Sequence, residues 1–195
     1  MIEPAASQPP FRIRKVAIIG AGVAGRSFAL ACAAAGFVVI LEDVMPSNLR
    51  RAEQEYTEAG ISATDGTFQL ASTVEEAVRE ADIAVDFVPD ELESKLEIFS
   101  MIDRMAPPKT ILCTPSYALS ITDLASCVYR PERCIAIRGD LTANAATIRL
   151  LHPAHANRSI LAAVEDFLRT LGLKTFTEPD PDVPMLMKNS PAVPA

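Results

Sequence analysis

Short apolar runs alternate with longer amphipathic stretches along most of the chain. Runs rich in Val, Ile and Leu predict strands, and stretches with apolar residues three or four positions apart predict helices. The predicted strands cover residues 16–19, 37–41, 67–71, 82–88, 110–114, 133–138, 147–151 and 173–177. The predicted helices cover residues 23–35, 47–59, 72–80, 90–105 and 157–171, and a short helix opens at Ser120. This alternation predicts an α/β fold, a Rossmann-type, doubly wound and mostly parallel sheet in a single domain.

Polar residues mark the starts of several predicted helices. Ser72-x-x-Glu75 and Asp90-x-x-Glu93 fit the capping box, in which the first side chain accepts a hydrogen bond from a backbone N–H of the first turn. Asn157 is a comparable start for the last helix. These residues therefore predict where three helices begin.

The first predicted strand leads directly into the glycine-rich turn Gly20-Ala21-Gly22-Val23-Ala24-Gly25. The turn fits G-x-G-x-x-G, and the strand before it and the helix after it are the context of a dinucleotide site. The first glycine permits the tight turn, the second lets a pyrophosphate approach the backbone, and the third lets the helix pack close to the strand. The N–H groups of the first helical turn, at Val23 and Ala24, would then hold the phosphates.

An acidic pair, Glu42-Asp43, ends the second predicted strand. About 20 residues past such glycines, an acidic side chain grips the ribose hydroxyls of the cofactor. A carboxylate at Asp43 repels the 2′-phosphate of NADP, and Val44-Met45-Pro46 offers no arginine to reverse this choice. Arg50 and Arg51 are predicted to be solvated helix residues. NAD is therefore the predicted cofactor, and a glycine turn that only packs and binds nothing is the alternative.

Composition narrows the classes of protein to consider. Of 195 residues, 49% are hydrophobic, enough for one core and a short extension. The net charge of -7 argues against binding a nucleic acid backbone, and no apolar run is long enough to predict a membrane span. We expect a disordered lead-in over residues 1–14, one domain over 15–178 and a Pro-rich tail over 179–195. Four cysteines without C-x-x-C spacing suggest free thiols and a cytoplasmic protein.

Ligands of open parallel sheets bind beyond the carboxyl ends of the strands. Five segments end predicted strands in this way. They are the glycine turn, Asp43, Val88-Pro89-Asp90, residues 114–117 and Arg138. The sequence therefore predicts one site to which all five contribute.

With these strand ends placed, residues 15–178 resemble the NAD-binding N-terminal domain of 3-hydroxyacyl-CoA dehydrogenases. The likeness rests on KVAIIGAGVAG, AGFVVILED, FVPDELESKLEIF, APPKTILCTPSYALSIT and RPERCIAI, which keep the family's order and nearly its spacing. The resemblance implies that Asp43 holds the adenosine ribose and that Asp90 and Lys95 line the nicotinamide end, although the family usually has Glu at position 90. From the residues alone, Asp90 also fits a helix cap and Lys95 a solvated charge.

The positions of the family's catalytic residues are occupied by other residue types in this chain. The serine of the family's N-T-S-S-L-S-I-T segment corresponds to Tyr117, and the asparagine before it to Pro115. The general-base histidine corresponds to Arg138, a further asparagine to Leu141, and the glutamate that orients the histidine to Leu150. The helical domain that carries much of the family's acyl pocket and dimer interface would follow the last residue. We therefore expect a homo-oligomer or a partner chain.

Three side chains are candidates for the missing catalytic chemistry. Arg138 remains protonated at physiological pH, so it can bind an oxyanion but cannot act as an ordinary base. Tyr117 can donate a proton, with Arg138 as a candidate neighbour. His152 lies two residues after Leu150, on the same face of the predicted strand, where it can take over the role of base. His152 and His155 have no third ligand nearby, so no metal site is predicted.

Three functions remain open at this point. The first is an NAD-dependent dehydrogenase with an atypical site, which acts on a small hydroxyacyl or hydroxy-acid substrate that is free, CoA-linked or carrier-linked. The second is a non-catalytic NAD(H)-binding accessory module. The third is a non-redox biosynthetic enzyme of dehydratase or cyclase type on the same fold, because a fold does not determine its chemistry.

Overall fold

The computed structural model describes residues 11–61, 66–141 and 147–181. The strands are β1 Lys15–Ile19, β2 Val38–Glu42, β3 Thr67–Ala71, β4 Ile83–Asp86, β5 Ile111–Pro115, β6 Cys134–Arg138, β7 Thr147–His152 and β8 Lys174–Pro179. The helices are α1 Val23–Ala34, α2 Pro46–Glu58, α3 Val74–Val78, α4 Leu92–Met105, α5 Ile121–Ala125 and α6 Arg158–Thr170, with a 3₁₀ turn at Pro131–Arg133.

These strands form one sheet in the order β3-β2-β1-β4-β5-β6-β7-β8. Neighbouring strands are parallel except β6 and β7, which are antiparallel. The predicted Rossmann-type α/β fold is therefore confirmed. Strands β1 to β3 extend the sheet in one direction, and β4 to β8 extend it in the other. The adjacent strands β1 and β4 therefore form the topological switch point, at which ligands of such sheets bind.

The core covers both faces of the sheet. Val16 and Ile18 of β1 belong to one apolar cluster, with α1 and α6, whereas Ala17 and Ile19 belong to the cluster formed with α3, α4 and α5. This alternation buries the central strands on both sides, which explains why they read as continuous apolar runs. The edge strands β3 and β8 are only half buried.

Two predicted helix starts differ from the structure. The cap of α3 is Thr73, whose hydroxyl accepts a hydrogen bond from the Glu76 N–H at 3.2 Å, and the Glu76 carboxylate accepts one from the Ser72 N–H. The predicted capping box is therefore displaced by one residue. Helix α4 follows Glu91 without a side-chain cap, so the predicted capping role of Asp90 is wrong. The caps predicted from Ser120 and Asn157 are both present.

The ordered domain extends further at both ends than the sequence predicts. Phe11 and Ile13 pack against the core, so the predicted lead-in is too long by residues 11–14. At the other end, β8 includes Pro179, and the Asp180 carboxylate accepts hydrogen bonds from the Ser120 hydroxyl and the Thr122 N–H. The remainder of the predicted lead-in and tail, residues 1–10 and 182–195, lies outside the described residues.

Membrane insertion would require a long apolar helix. Among the helices that the structure describes, none has the length and apolar composition needed to cross a bilayer. The cytoplasmic location remains a prediction.

Candidate functional site

The three glycines of the turn after β1 have different surroundings. Gly20 has φ +102°, a left-handed conformation that favours glycine. A Cβ at Gly25 would lie 1.9 Å from the Gly20 carbonyl oxygen, so the close contact of α1 with the turn requires glycine. A Cβ at Gly22 would meet no atom within 4 Å, which means that the backbone there faces open space. The turn thus leaves space for a pyrophosphate at Gly22, whose phosphate-binding role remains a prediction.

The backbone of Ala21, in the middle of the turn, is held at both its N–H and its carbonyl group. Its N–H donates to the Asp43 carboxylate at 2.7 Å, and its carbonyl accepts from Arg26 Nη1 at 2.8 Å. Arg26 is buried and forms an ion pair with Glu55 of α2 at 3.1 Å. Arg26 is not among the residues predicted from the sequence, although a lone arginine in an alanine-rich helix, directly after Gly25, is a usable signal.

Asp43 lies beside this turn and is oriented by further donors. The Met45 N–H donates to one carboxylate oxygen at 2.7 Å, and Asn48 Nδ2 donates to the other at 3.1 Å. A carboxylate offers about four acceptor positions, so a ribose hydroxyl can still bind beside these three donors. Arg50 and Arg51 are exposed on α2, as predicted.

A cleft of about 790 Å³ opens at the carboxyl ends of β1, β2 and β4. We refer to it as the large cleft. Among its lining residues are Gly20, Gly22, Glu42, Asp43, Val44, Met45, Asn48, Val74, Phe87, Val88, Pro89, Glu97, Ile98 and Met101. The large cleft therefore brings together Gly20 and four further predicted cofactor residues, Gly22, Asp43, Val88 and Pro89. Its mostly apolar walls suit a flat aromatic base.

A smaller cavity of about 140 Å³, the Tyr117 cavity, lies on the other side of Phe87. Tyr117 is 73% exposed; its N–H donates to the Asp90 carboxylate at 3.1 Å, and its hydroxyl lies 3.5 Å from the Gly139 carbonyl oxygen. Asp140 also borders this cavity, and the sequence analysis missed it even though it closely follows the end of β6. The remaining lining residues are Ala24, Pro115, Ile137 and Leu141.

The structure does not bring the other two predicted catalytic residues into the Tyr117 cavity. Arg138 donates from Nη2 to the Leu119 carbonyl at 3.0 Å, its buried Nε has no hydrogen-bond partner among the described residues, and it does not line the cavity. His152 lies three residues past Arg149, which pairs with Arg138. Because β7 is antiparallel to β6, His152 is about 10 Å further toward the amino ends of the parallel strands. The prediction that His152 takes over the role of base at this site is therefore wrong.

Lys95 is neither a solvated charge nor exposed to the cleft. Its side chain is completely buried, and its ammonium group lies 2.8 Å from Asp86 Oδ1 and 2.8 Å from Thr114 Oγ1. Burial raises the pKa of Asp86, and the Lys95 charge opposes that shift. Lys95 therefore stabilises the ends of β4 and β5 from inside the fold. Because it is buried, it cannot make the predicted direct contact with the nicotinamide end of the cofactor.

The cysteines show no sign of reactive chemistry. Cys32, Cys113 and Cys134 are buried free thiols, and burial raises the pKa of the Cys113 thiol. Cys127 is free and exposed. Within residues 11–61, 66–141 and 147–181, no group of three or more His, Cys, Asp or Glu side chains is arranged to hold a metal ion.

The glycine turn, Asp43 and the large cleft at the switch point define a dinucleotide-binding domain. Residues 15–138 match the family model described as "3-hydroxyacyl-CoA dehydrogenase, NAD binding domain". The chain belongs to this family, which confirms the resemblance and NAD as the cofactor.

Individual relatives agree with this assignment. A probable 3-hydroxybutyryl-CoA dehydrogenase from Bacillus subtilis is 32% identical over 136 residues, which cover 63% of this chain and 47% of the relative. The 5-formyl-3-hydroxy-2-methylpyridine 4-carboxylate 5-dehydrogenase of Mesorhizobium japonicum is 27% identical over 172 residues, 83% of this chain and 56% of the relative. The chain thus spans about half the length of the curated relatives it matches.

Solved structures show the same fold. The crystal structure of a 5-formyl-3-hydroxy-2-methylpyridine 4-carboxylic acid 5-dehydrogenase, described as an NAD⁺-dependent dismutase, matches with a TM-score of 0.76 and 25% identity, over 91% of this chain and 60% of that one. The (S)-3-hydroxybutyryl-CoA dehydrogenase of Ralstonia eutropha matches with a TM-score of 0.76 and 22% identity, over 86% and 64%. At 22% identity, the second match supports the fold alone.

Proposed function

We propose that this chain is the NAD-binding part of a dehydrogenase that transfers hydride between NAD and a hydroxyacyl or hydroxy-acid substrate. The observation that carries the proposal is the open backbone at Gly22, beside Asp43, between the large cleft and the Tyr117 cavity. A dinucleotide that lies along this edge would have its adenosine half in the large cleft and its nicotinamide half toward Tyr117. The backbone N–H groups of Val23 and Ala24 would hold the phosphates.

Tyr117 is the residue we assign to proton transfer. When bound, NAD supplies or accepts the hydride, and the second requirement is a group that exchanges a proton with the substrate oxygen. The Tyr117 hydroxyl can donate this proton during reduction of a carbonyl and regain it from solvent, because the side chain is exposed. Asp140 borders the same cavity and is the second candidate for proton transfer. Arg138 would act only if its guanidinium left the Leu119 carbonyl.

Gly22→Val should abolish cofactor binding without unfolding the protein. The added side chain projects into open space, so the fold is retained, but it fills the volume next to the phosphate-binding N–H groups. We expect the Kd for NAD to rise at least about 100-fold, with little change in the unfolding midpoint. Calorimetric titration with NAD and NADH measures the affinity. Ala59→Val, which adds similar bulk at an exposed site at the end of α2, is the control, and unchanged binding in Gly22→Val would contradict the assigned phosphate position.

Tyr117→Phe should reduce turnover far more than cofactor affinity. Loss of a proton-transfer group lowers kcat by about 10²–10⁴-fold, and the phenyl ring preserves the walls of the cavity. NADH appearance or loss with panels of hydroxyacyl-CoA, carrier-linked and short hydroxy-acid substrates measures turnover. Tyr129→Phe removes the hydroxyl of another exposed tyrosine, which lies outside the cavity, and should have no effect. Equal turnover of Tyr117→Phe and the unaltered chain would remove Tyr117 from the mechanism.

A non-catalytic NAD(H)-binding module is the second candidate. It is favoured by Arg138, which occupies the position of the family's base and is bound to a backbone carbonyl. This function predicts NAD binding without turnover of any substrate in the panels. Activity that survives in Gly22→Val would instead favour the non-redox enzyme.

The predicted homo-oligomer or partner chain remains part of the proposal. Large apolar side chains stand exposed next to the two cavities, which is typical of surfaces that another chain covers. They are Val23, Val44, Met45 and Tyr117.

A further inference from the structure

A second carboxyl group, that of Glu42, borders the large cleft one residue before Asp43. Glu42 ends β2, where it pairs with Ile19 of β1 on one side and Ala71 of β3 on the other. The residue is only 3% exposed, yet it lines the cleft together with Gly22 and Asp43. What remains accessible of Glu42 therefore faces the space in which the proposed cofactor pose places the adenosine half.

Among the described residues that line the large cleft, none carries a positive charge that could balance ionised Glu42. Asp43 follows directly after the end of β2, and Glu97 of α4 borders the same cleft. The other elements that line it contribute backbone, apolar side chains or the Asn48 amide, and neither histidine borders it. Among the ion pairs between described residues, none includes Glu42. Ionised Glu42 is thus a buried carboxylate beside other acidic groups, an unfavourable arrangement.

Cofactor binding would make the ionised form still less favourable. A dinucleotide that fills the cleft removes the remaining water from Glu42 and adds the negative charges of two phosphate groups nearby. A protonated Glu42, in contrast, is neutral and can donate a hydrogen bond to an acceptor atom of the ligand. We infer that NAD binds to the form of the protein in which Glu42 carries a proton, so that Glu42 is a cofactor-site residue that makes affinity depend on pH.

The sign and range of this dependence follow from the free protein. Burial, and secondly the charge of Asp43, raise the pKa of Glu42 to about 7. Below that pH the binding form is already present, and above it each binding event must take up a proton. Affinity should therefore be highest at pH 6 and fall as the pH rises, with a Kd about 30-fold higher at pH 8.5.

Calorimetric titration with NAD at pH 6.0, 7.0, 7.5 and 8.5 tests the inference. In Glu42→Gln, the amide imitates the neutral acid at every pH, so the Kd should stay near the low-pH value of the unaltered chain. Glu97→Gln is the matched control, because it removes an exposed carboxylate from the same cleft and should leave the pH dependence in place. Equal pH dependence in Glu42→Gln and the unaltered chain would overturn the inference.

A second measurement uses only the unaltered chain, so it tests the inference even if Glu42→Gln does not fold. Titrations at pH 7.5 in phosphate and in Tris, whose ionisation enthalpies differ, give the number of protons taken up per NAD bound. We expect a value between one half and one, and zero would contradict the inference. The inference rests on NAD binding and not on dehydrogenase activity. NAD binding without proton uptake would overturn it alone, whereas absence of NAD binding at every pH would overturn the cofactor pose as well.

Discussion

Replacing Lys95 with methionine lowers the free energy of unfolding by about 3–5 kcal/mol, the cost expected when one partner of a buried ion pair is removed. Neither Lys95 nor Asp86 has exposed side-chain surface, and the two charged groups lie 2.8 Å apart. Without the ammonium group, the Asp86 carboxylate loses the main interaction that offsets its desolvation, and its Oδ2 already lacks a hydrogen-bond partner among the described residues. Urea unfolding followed by circular dichroism measures the loss.

A second substitution separates the charge from the packing. In Lys95→Met/Asp86→Leu the isolated carboxylate is absent, so we expect at least half of the lost stability to return. Arg169→Ala, which breaks an exposed pair with Asp166, is the surface control and should change stability little. A double variant as unstable as Lys95→Met would show that packing, and not the ion pair, explains the loss.

The second large effect is expected for Gly25→Ala. In an ordinary helix, glycine to alanine stabilises by about 0.5–1 kcal/mol. Here the new Cβ would lie 1.9 Å from the Gly20 carbonyl oxygen, a backbone atom that cannot rotate away. The turn and α1 must separate, so we expect a loss of at least about 3 kcal/mol and a marked loss of NAD affinity.

Gly22→Ala is the matched control for Gly25→Ala. Gly22 has φ -61° and ψ 179°, which any residue adopts, and its Cβ would meet no atom within 4 Å. The same chemical change three residues earlier should therefore leave the unfolding midpoint almost unaltered. Thermal unfolding of both variants makes the comparison, and similar midpoints for the two would contradict the packing role assigned to Gly25.

Local signals explain why the fold and the cofactor half could be predicted from the sequence. The glycine turn and Asp43 are positioned by the strands immediately before them, and the register of β1 against β2 brings the two together. The missed capping of α3 by Thr73 is also local, because two successive residues, Ser72 and Thr73, each precede a glutamate by three positions. Sequence alone does not decide between two such overlapping boxes.

Residues that depend on distant partners could not be placed in this way. Lys95 has the sequence context of a surface lysine, and only the packing of α4 on β4 and β5 places it against Asp86 and Thr114. Strand periodicity correctly places Leu150 and His152 on the same face of β7. It cannot place His152 relative to the site, because it does not reveal that β7 runs opposite to β6.

The backbone of Ala21 is fixed at its N–H by Asp43 and at its carbonyl by Arg26, and this has a kinetic consequence. A loop that already holds its conformation in the free protein loses little conformational entropy when a ligand arrives. Association then involves no slow ordering step, and differences in affinity appear mainly in the rate at which the ligand leaves. The rate at which oxidised and reduced cofactor exchange would therefore be set by dissociation of the bound form and not by association of the incoming form.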